Sequence, residues 1–274
     1  MKKGIKPLKA IRTPKNKAND DLLNMYVLTD AHVGMLAWAE ETGDNWDLAI
    51  AEQTIVQAFR DLIDRAPAAH TGYFMQLGDM AHYDSHLAVT PQNKHILDAD
   101  GRPTKLIRTL VRVSRAVIEM LAEKYKEVIV LHAEGNHDII FSVWLRETMA
   151  ILYEKSKHIK VLTTPSPYYA VQWGEVMLGA HHGHKARGGR ISEAIIADNR
   201  EMYGNTKHLY IHTGHLHHQK VEENGYGVTE QHQTLAAKDA HAAHGGYRAG
   251  RSMQVITYHK KHGEVGRMRY VPGM

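Results

Sequence analysis

Short runs of apolar and β-branched residues alternate along the chain with longer runs in which apolar residues recur every three or four positions. The short runs predict strands over residues 22–29, 73–77, 128–132, 176–180 and 208–213, and three more over 228–234, 253–259 and 265–271. The longer runs predict amphipathic helices over residues 46–65, 104–126, 139–155 and 191–203. Strands separated by helices predict an α/β fold, in which a mixed sheet is layered with helices.

Basic residues are concentrated at the N-terminus. The formal net charge of the 274-residue chain is +4, yet residues 1–18 hold seven Lys and Arg residues and no acid, so the rest of the chain is net negative. We therefore predict a basic arm over residues 1–20 and a single domain over residues 21–274, an ordinary size for one α/β domain. The arm is interpreted either as a solvated, disordered tail or as a segment that contacts nucleic acid.

The composition narrows the possible chemistry. The absence of cysteine excludes disulfide scaffolds, thiolate zinc sites and cysteine nucleophiles, so any metal ion must be held by nitrogen and oxygen atoms. The chain has 21 His but only 3 Phe, an excess that metal binding or proton transfer explains better than packing does. Because the sequence shows neither a membrane span nor a secretory signal, we expect a cytoplasmic protein with no membrane partner.

Each of the first five predicted strands is followed by residues that can bind a metal ion. Because loops at the carboxyl ends of strands converge on one crevice in open α/β sheets, we expect these residues to meet at one site. Carboxylate, imidazole and amide donors suit manganese, iron, zinc or magnesium. The motifs are Asp30-Ala31-His32, Gly78-Asp79, Gly135-Asn136-His137-Asp138, His181-His182-Gly183-His184 and Gly214-His215-Leu216-His217.

In this order the motifs resemble those of the calcineurin-like metallophosphoesterase superfamily, and the resemblance spans residues 30–217. It implies a four-layer αββα sandwich with mixed β-sheets and a site for two divalent metal ions, for which we expect manganese, with iron, zinc or magnesium as alternatives. It also implies that His137 acts on the leaving group. The implied ligands are Asp30, His32 and His217 for one ion, Asn136, His182 and His215 for the other, and Asp79 as the bridge between them.

Two of the motifs allow a finer comparison. In the fourth motif, His181 and His184 compete with His182; we choose His182, because the family's ligand is the histidine directly followed by glycine. The second motif extends to His82 in a G-D-x-x-H form that resembles the Mre11/SbcD-like nuclease branch. The chain as a whole also resembles compact phosphoesterases of tailed bacteriophages, which would place it in a host cytoplasm.

The remaining predicted site residues surround these ligands. Asp138 is interpreted either as a catalytic partner that orients or charges the His137 ring or as a turn or N-cap residue. Substrate contacts are assigned to His82 and to three basic residues that follow the fourth motif, Lys185, Arg187 and Arg190. Lys238, Arg248 and Arg251 flank a glycine-rich loop in the tail and are candidates for the same role.

Three functions are compatible with this sequence. The favoured one is hydrolysis of a phosphodiester in DNA or RNA by a hydroxide held between two divalent ions, about 3.5 to 4 Å apart. The second is a phosphomonoesterase or small-nucleotide phosphohydrolase. The third is a catalytically idle binding scaffold, which the complete ligand set disfavours. The partner expected in either enzyme is a phosphate ester, and no particular protein partner is indicated.

Overall fold

Two mixed β-sheets lie at the centre of the computed structural model, which describes residues 13–15 and 17–273. The first sheet contains, in spatial order, β11, β10, β1, β2, β3 and β4, and the second contains β5, β6, β7, β9 and β8. The strands are β1 (Asn19–Leu28), β2 (Ala69–Gln76), β3 (Glu127–His132), β4 (Ile159–Val161), β5 (Tyr169–Trp173), β6 (Val176–Ala180), β7 (His208–Thr213), β8 (Lys220–Asn224), β9 (Gly227–Gln231), β10 (Met253–His259) and β11 (Gly263–Tyr270).

Helices cover the outer faces of both sheets. They are α1 (Ala39–Thr42), α2 (Leu48–Arg65), α3 (Pro103–Lys124), α4 (Ile139–Tyr153), α5 (Gly189–Asp198), α6 (Arg200–Gly204) and α7 (Ala240–His244). Pro103 begins α3, where its missing N–H breaks no intrahelical bond. The side chain of Asp47 caps α2 by accepting hydrogen bonds from the amides of Ala49 and Ile50.

Three layers of apolar contact hold these elements together. In β1, alternate residues face opposite sides, so Met25 packs between the sheets while Tyr26 packs against the helices. The outer face of the first sheet is covered mainly by α2, α3 and α4, and that of the second by α5, where Ile195 is fully buried. The predicted four-layer αββα sandwich with mixed β-sheets is therefore confirmed.

The strands that carry the five motifs run in parallel within each sheet. β1, β2 and β3 are parallel neighbours, as are β6 and β7, so their carboxyl ends lie at the same edge of the respective sheet. The predicted strands over 176–180, 208–213 and 253–259 have the observed bounds. The single helix predicted over 191–203 is wrong, because the backbone turns at Asn199 and separates α5 from α6.

Most of the predicted basic arm lies outside the described residues, which begin at residue 13 and omit residue 16. β1 starts at Asn19 and thus takes in the last two residues assigned to the arm. No helix in the described part of the chain combines the length and apolar character needed to cross a membrane.

We predict that His132 makes the fold sensitive to acid. Its ring is fully buried at the end of β3, neither ring nitrogen has a hydrogen-bond partner, and burial and then Arg146 lower its pKa to about 3. Between pH 6.5 and about 3 the His132 ring is therefore protonated in the unfolded state but not in the folded state. The free energy of unfolding falls by roughly 1.4 kcal/mol for each pH unit of acidification across this range. Above pH 6.5 the ring is neutral in both the folded and the unfolded state, so it does not change the free energy of unfolding with pH.

The measurement is urea unfolding at several pH values, in chelator, for the wild type and His132→Leu. Buried His212 and His232 also have lowered pKa values and contribute equally to both proteins, so the difference between the two slopes isolates His132. We expect the variant to lose less stability on acidification. Parallel pH profiles would show that His132 does not titrate in this way.

Candidate metal centre

The seven predicted metal ligands lie at the adjoining edges of the two sheets. Both sheets contribute, so the site exists only when they are packed together. The first sheet supplies Asp30, His32, Asp79 and Asn136 from the loops after β1, β2 and β3, and the second supplies His182, His215 and His217 from the loops after β6 and β7.

Asp30, His32 and His217 form one group of donors, whose ligand atoms all lie within 4.8 Å of one another. Nε2 of His217 is 3.1 Å from Oδ1 of Asp30 and 3.3 Å from Nε2 of His32. The other carboxylate oxygen of Asp30 accepts hydrogen bonds from the hydroxyl of Thr29 at 2.5 Å and from the amide of His215 at 2.9 Å. These bonds fix the carboxylate, so that Oδ1 faces the two histidines.

Asp79, His182 and His215 form a second group of donors. Nε2 of His182 lies 3.1 Å from Oδ2 of Asp79 and 3.1 Å from Oδ1 of Asn136. Nδ1 of His182 donates to the carbonyl of Leu77 at 2.7 Å, which sets the orientation of the ring. Because Nε2 of His182 is also 3.9 Å from Oδ1 of Asp30, the two groups adjoin.

The structure separates the three histidines of the fourth motif. His181 stacks on Tyr168, and its Nδ1 accepts a hydrogen bond from the amide of Gly183. The ring of His184 lies 5.2 Å from that of His182, and neither of its nitrogens has a partner. Of the three, His182 is the one whose ring nitrogen meets the carboxylate of Asp79.

The backbone is strained where these side chains are presented. Six non-glycine residues of the described chain have a positive φ, a conformation that non-glycine residues rarely adopt. Five of them are predicted ligands: Asp30, His32, Asp79, His215 and His217. Strain of this kind persists only where the surrounding structure enforces it, and it concentrates at functional sites.

Two glycines make room for the carboxylates. A Cβ on Gly135 would lie 2.1 Å from Oδ1 of Asp79, and a Cβ on Gly214 would lie 1.9 Å from the hydroxyl oxygen of Thr29 and 2.7 Å from Oδ2 of Asp30. All three distances are far below van der Waals contact, so a side chain at either glycine would clash with a predicted ligand or with Thr29, which holds one.

We therefore predict that Gly214→Ala damages the metal centre. A shift of about 1 Å at Asp30 is expected to cost on the order of a hundredfold in turnover, as other misplacements of that size do. Gly204→Ala is the matched control, because a Cβ there meets nothing within 4 Å. Turnover and metal content should fall in Gly214→Ala alone. Normal values for Gly214→Ala would show that the loop accommodates a methyl group without moving Asp30.

The electrostatics of the centre are dominated by buried carboxylates. Burial raises the pKa of Asp30, but His217 and His182 outweigh it and hold that pKa well below its usual value. Burial lowers the pKa of His182, but Asp79 and Asp30 outweigh it and raise that pKa to about 10. Burial and the charge of Asp79 raise the pKa of Asp138 to about 8. A proton on His182 thus offsets part of the negative charge, and a metal ion would take its place because histidine binds metals unprotonated.

His137 lies between the donor groups and the solvent. Its Nδ1 donates to the carbonyl of His82 at 2.9 Å, so the ring presents Nε2 as its free end. Its amide donates to Oδ1 of Asp79 at 2.8 Å, and its ring centre is 4.8 Å from that of His32. This arrangement ties the position of the ring to a predicted metal ligand.

The structure does not support substrate contact by His82. The side chain is only 1% exposed, and its Nδ1 lies 3.2 Å from Nδ1 of His32. Its ring stacks on that of His137, with centres 5.5 Å apart. His82 therefore orients His32 and His137 from behind, a role that the G-D-x-x-H spacing alone did not reveal.

The catalytic role assigned to Asp138 is also not supported. Its buried carboxylate accepts hydrogen bonds from the backbone amides of Asp79, Ala81 and Gly135, at 3.0 to 3.2 Å, and no bond to the ring of His137 is present. Asp138 is also the N-cap residue of α4, as the alternative interpretation predicts, but its side chain makes no capping hydrogen bond there. Asp138 instead joins the second and third motif loops, which positions Asp79.

A cleft of about 680 Å³ opens over both donor groups. Lys185, Arg187 and Arg190 do not line it: Lys185 pairs with Glu134 at 2.5 Å, and the two arginines are exposed near the start of α5. The basic residues in its wall are Lys238, Arg248 and Arg251. The structure thus places these three side chains outside the wall of this cleft, because sequence proximity to the fourth motif did not determine where they lie; their contact with substrate stays a prediction.

Another group of metal-type side chains, His212, Glu230 and His232, is buried between the sheets. Protein partners already occupy its donors: His212 bonds to His232 at 2.9 Å, and Glu230 pairs with Arg267 at 2.9 Å. Tyr258 of the first sheet bonds to His212 of the second at 3.1 Å. We assign this group a structural role, in which it helps to fix the position of one sheet relative to the other. The metal centre needs this fixed position because both sheets supply its side chains.

The residues present fit two divalent cations. The donors are imidazole nitrogens and carboxylate and amide oxygens, the set expected for manganese, iron, zinc or magnesium. Buried negative charge, strained ligand backbones and glycines that leave space only for carboxylates all occur at the same place.

No protein-family model matches this chain, and no curated protein matches it. Among solved structures, Yfce, a phosphoesterase from E. coli, is 15% identical, with 89% of this chain and 98% of that chain covered and a TM-score of 0.43. An archaeal phosphodiesterase is 14% identical, with 90% and 99% covered and a TM-score of 0.45. A dimetal phosphatase from Danio rerio is 9% identical, with 92% and 99% covered and a TM-score of 0.44. The likeness concerns the fold alone.

Proposed function

We propose that this protein is a cytoplasmic, metal-dependent phosphoesterase of the calcineurin-like superfamily that hydrolyses phosphodiesters in DNA or RNA. The observation that carries the proposal is the pair of adjoining donor groups, Asp30–His32–His217 and Asp79–His182–His215, at the floor of one cleft. Asn136 completes the second group through its contact with His182.

The residues in these groups would hold two divalent ions, and we assign Asp79 of the second group to serve both. Bound there, the ions would supply positive charge to the phosphoryl oxygens and lower the pKa of a water molecule toward neutrality. Manganese is our first choice, because the donors are nitrogen and oxygen atoms without any thiolate; iron, zinc and magnesium are the alternatives.

The protein's own contribution to bond cleavage is proton transfer by His137. Because Nδ1 donates its hydrogen to the carbonyl of His82, proton donation from Nε2 would use the imidazolium form of the ring, which returns to the neutral form with its hydrogen on Nδ1. The departing alkoxide of a phosphodiester is a poor leaving group, and a proton from Nε2 neutralises it as the P–O bond breaks. Asp138 and His82 act by positioning Asp79, His32 and His137.

The shape of the surroundings supports a diester substrate. A second cleft of about 450 Å³ lies beside the first and shares His137, Asp239 and His241 with it. A phosphodiester bears an organic group on each side of the scissile phosphorus, and here space is available on both sides of His137. A monoester would use only one of them, so a phosphomonoesterase or small-nucleotide phosphohydrolase is the second candidate.

Within this proposal, the G-D-x-x-H form of the second motif favours the Mre11/SbcD-like nuclease branch, and the order of the motifs together with the tail around residues 245–248 favours a compact phage-type enzyme. Of the two interpretations of the N-terminal arm, contact with nucleic acid would agree with the nuclease hypothesis and a solvated tail would not bear on it; most of the arm lies outside the described residues.

The deciding assay supplies the purified protein with manganese, magnesium, zinc or iron. We expect bis-p-nitrophenyl phosphate to be hydrolysed faster than the monoester, and labelled DNA or RNA to be cleaved. Preference for the monoester would favour the second candidate. Two bound ions without turnover on any phosphate ester would indicate the idle scaffold.

A further inference from the structure

The outer wall of the 680 Å³ cleft is formed by residues 236–251, which include α7 and the glycine-rich loop that follows it. Tyr247 lies in this wall and is 63% exposed. Its amide donates to the carbonyl of Ala242 at 3.0 Å, which anchors the loop to α7. An aromatic side chain therefore extends from an anchored backbone position in the cleft wall without being part of the hydrophobic core.

The absence of a side chain at Gly245 leaves room for the Tyr247 ring. A Cβ on Gly245 would lie 2.9 Å from Cε2 of Tyr247, so the ring leans on the backbone of a residue that has no side chain. The ring is thus supported along one edge and remains accessible. Tyrosine offers a large, rigid π-face at low cost in side-chain entropy, which suits stacking on a planar ligand.

Three cationic side chains lie in the same wall, and two of them are available to a ligand. The guanidinium of Arg248 donates to the carbonyls of Ala243 at 3.1 Å and Tyr247 at 2.9 Å, which orients it, and among the described residues it forms no ion pair. Lys238 is in no ion pair in the described part of the chain. Arg251 differs, since it pairs with Asp44 at 2.9 Å and lies over the ring of Trp46. Lys238 and Arg248 thus remain available for an anion.

We propose that Tyr247, Lys238 and Arg248 form a subsite for one nucleotide beside the scissile phosphate. The base stacks on the Tyr247 ring, and the two cations contact phosphates along the strand. Because bases in a duplex are covered by their neighbours, this subsite selects a single strand or an unpaired end. The inference rests on the proposed diesterase function and specifies its substrate class.

The first experiment compares two esters that release the same nitrophenolate. One is the p-nitrophenyl ester of thymidine 5′-monophosphate, and the other is methyl p-nitrophenyl phosphate, which lacks a nucleoside. For Tyr247→Ala we expect kcat/KM to fall about tenfold on the nucleoside ester, the loss of one stacked base, and to stay unchanged on the methyl ester. Tyr247→Phe keeps the ring and should behave as wild type on both.

The second experiment measures binding of single-stranded oligothymidylate in a salt series. Lys238→Met should weaken binding and reduce the slope of log affinity against log salt by about 0.7, the value for one lost contact to a single strand. Lys157→Met, at an exposed lysine remote from the cleft wall, is the matched control. Tyr247→Ala should also slow cleavage of single-stranded DNA more than that of a blunt duplex, which separates binding of a strand from binding of a free nucleotide.

The possible outcomes are distinct. If wild type hydrolyses neither ester in any metal, the diesterase function itself fails. If wild type is active but Tyr247→Ala affects both esters equally or neither, the subsite is overturned and the function stands. Equal losses for Tyr247→Ala and Tyr247→Phe would assign the effect to the hydroxyl and likewise overturn stacking.

Discussion

Replacing Asp79 by asparagine is expected to reduce phosphodiester turnover by more than a hundredfold and to weaken the binding of both metal ions. Losing a residue that only hydrogen-bonds to a metal ligand lowers metal affinity or activity about 10- to 100-fold. A larger loss is expected here, because Asp79 is proposed as a ligand itself. Its Oδ2 faces Nε2 of His182 at 3.1 Å, and its Oδ1 accepts the amide hydrogen of His137 at 2.8 Å. The substitution keeps the shape of the side chain and removes its charge.

Two readouts besides turnover test this expectation. Metal analysis at saturation should give two ions per wild-type chain and fewer for Asp79→Asn. Manganese should raise the Tm of the wild type, because a ligand that binds only the folded state stabilises it, and should raise that of the variant much less. Asp198→Asn, an isosteric change at an exposed residue of α5, should match wild type in all three measurements.

A single ion per chain in the active wild type would contradict the two-metal arrangement. Retention of both ions by Asp79→Asn would instead show that the two donor groups function without the bridge. In that case Asp79 would act only by positioning His137 through the amide hydrogen bond.

The motif loops could be predicted because each depends on a local pattern. A buried strand such as β6, with all five residues buried, appears in the sequence as an uninterrupted apolar run. The polar residues that follow the run are then predicted to lie in a loop. The rule that loops converge at the carboxyl ends of strands brings together residues as distant in sequence as Asp30 and His217. Oδ1 of Asp30 lies 3.1 Å from Nε2 of His217, in accord with that rule.

Three of the four edge strands, β4, β5 and β8, could not be predicted in the same way. β8 is exposed at all five positions and lies at the end of the second sheet, so its residues show no alternation of apolar and polar side chains. β5, at the other edge of that sheet, has only two buried residues. Pairing with a neighbouring strand stabilises both segments, and a pattern within the segment does not record its partner.

Side-chain roles were harder to predict than loop positions, because they depend on which way each side chain points. Asp138 follows His137 in sequence, but its carboxylate turns toward the amides of Asp79, Ala81 and Gly135. Lys185 follows the fourth motif, but Glu134 from the third motif loop neutralises it. The cations that line the cleft instead come from the tail, more than fifty residues later.

The remaining large effect is expected at His137, where alanine should lower kcat about 10²- to 10⁴-fold, the usual contribution of general acid catalysis, without removing metal. The ring reaches the cleft through Nε2, while its Nδ1 is held by the carbonyl of His82. An alkyl ester needs this proton far more than a nitrophenyl ester does, because nitrophenolate leaves readily. The loss should therefore be large on the first substrate and small on the second.

His137→Ala also separates acid catalysis from metal binding, since His32, His82 and His137 together form a group that could hold an ion. Loss of a metal ion in this variant would make His137 a ligand, and equal losses on both esters would contradict proton donation. His262→Ala, at an exposed histidine in the turn between β10 and β11, is the control for removing an imidazole. Unchanged metal content with a loss that grows with the basicity of the leaving group is the result that only a proton donor gives.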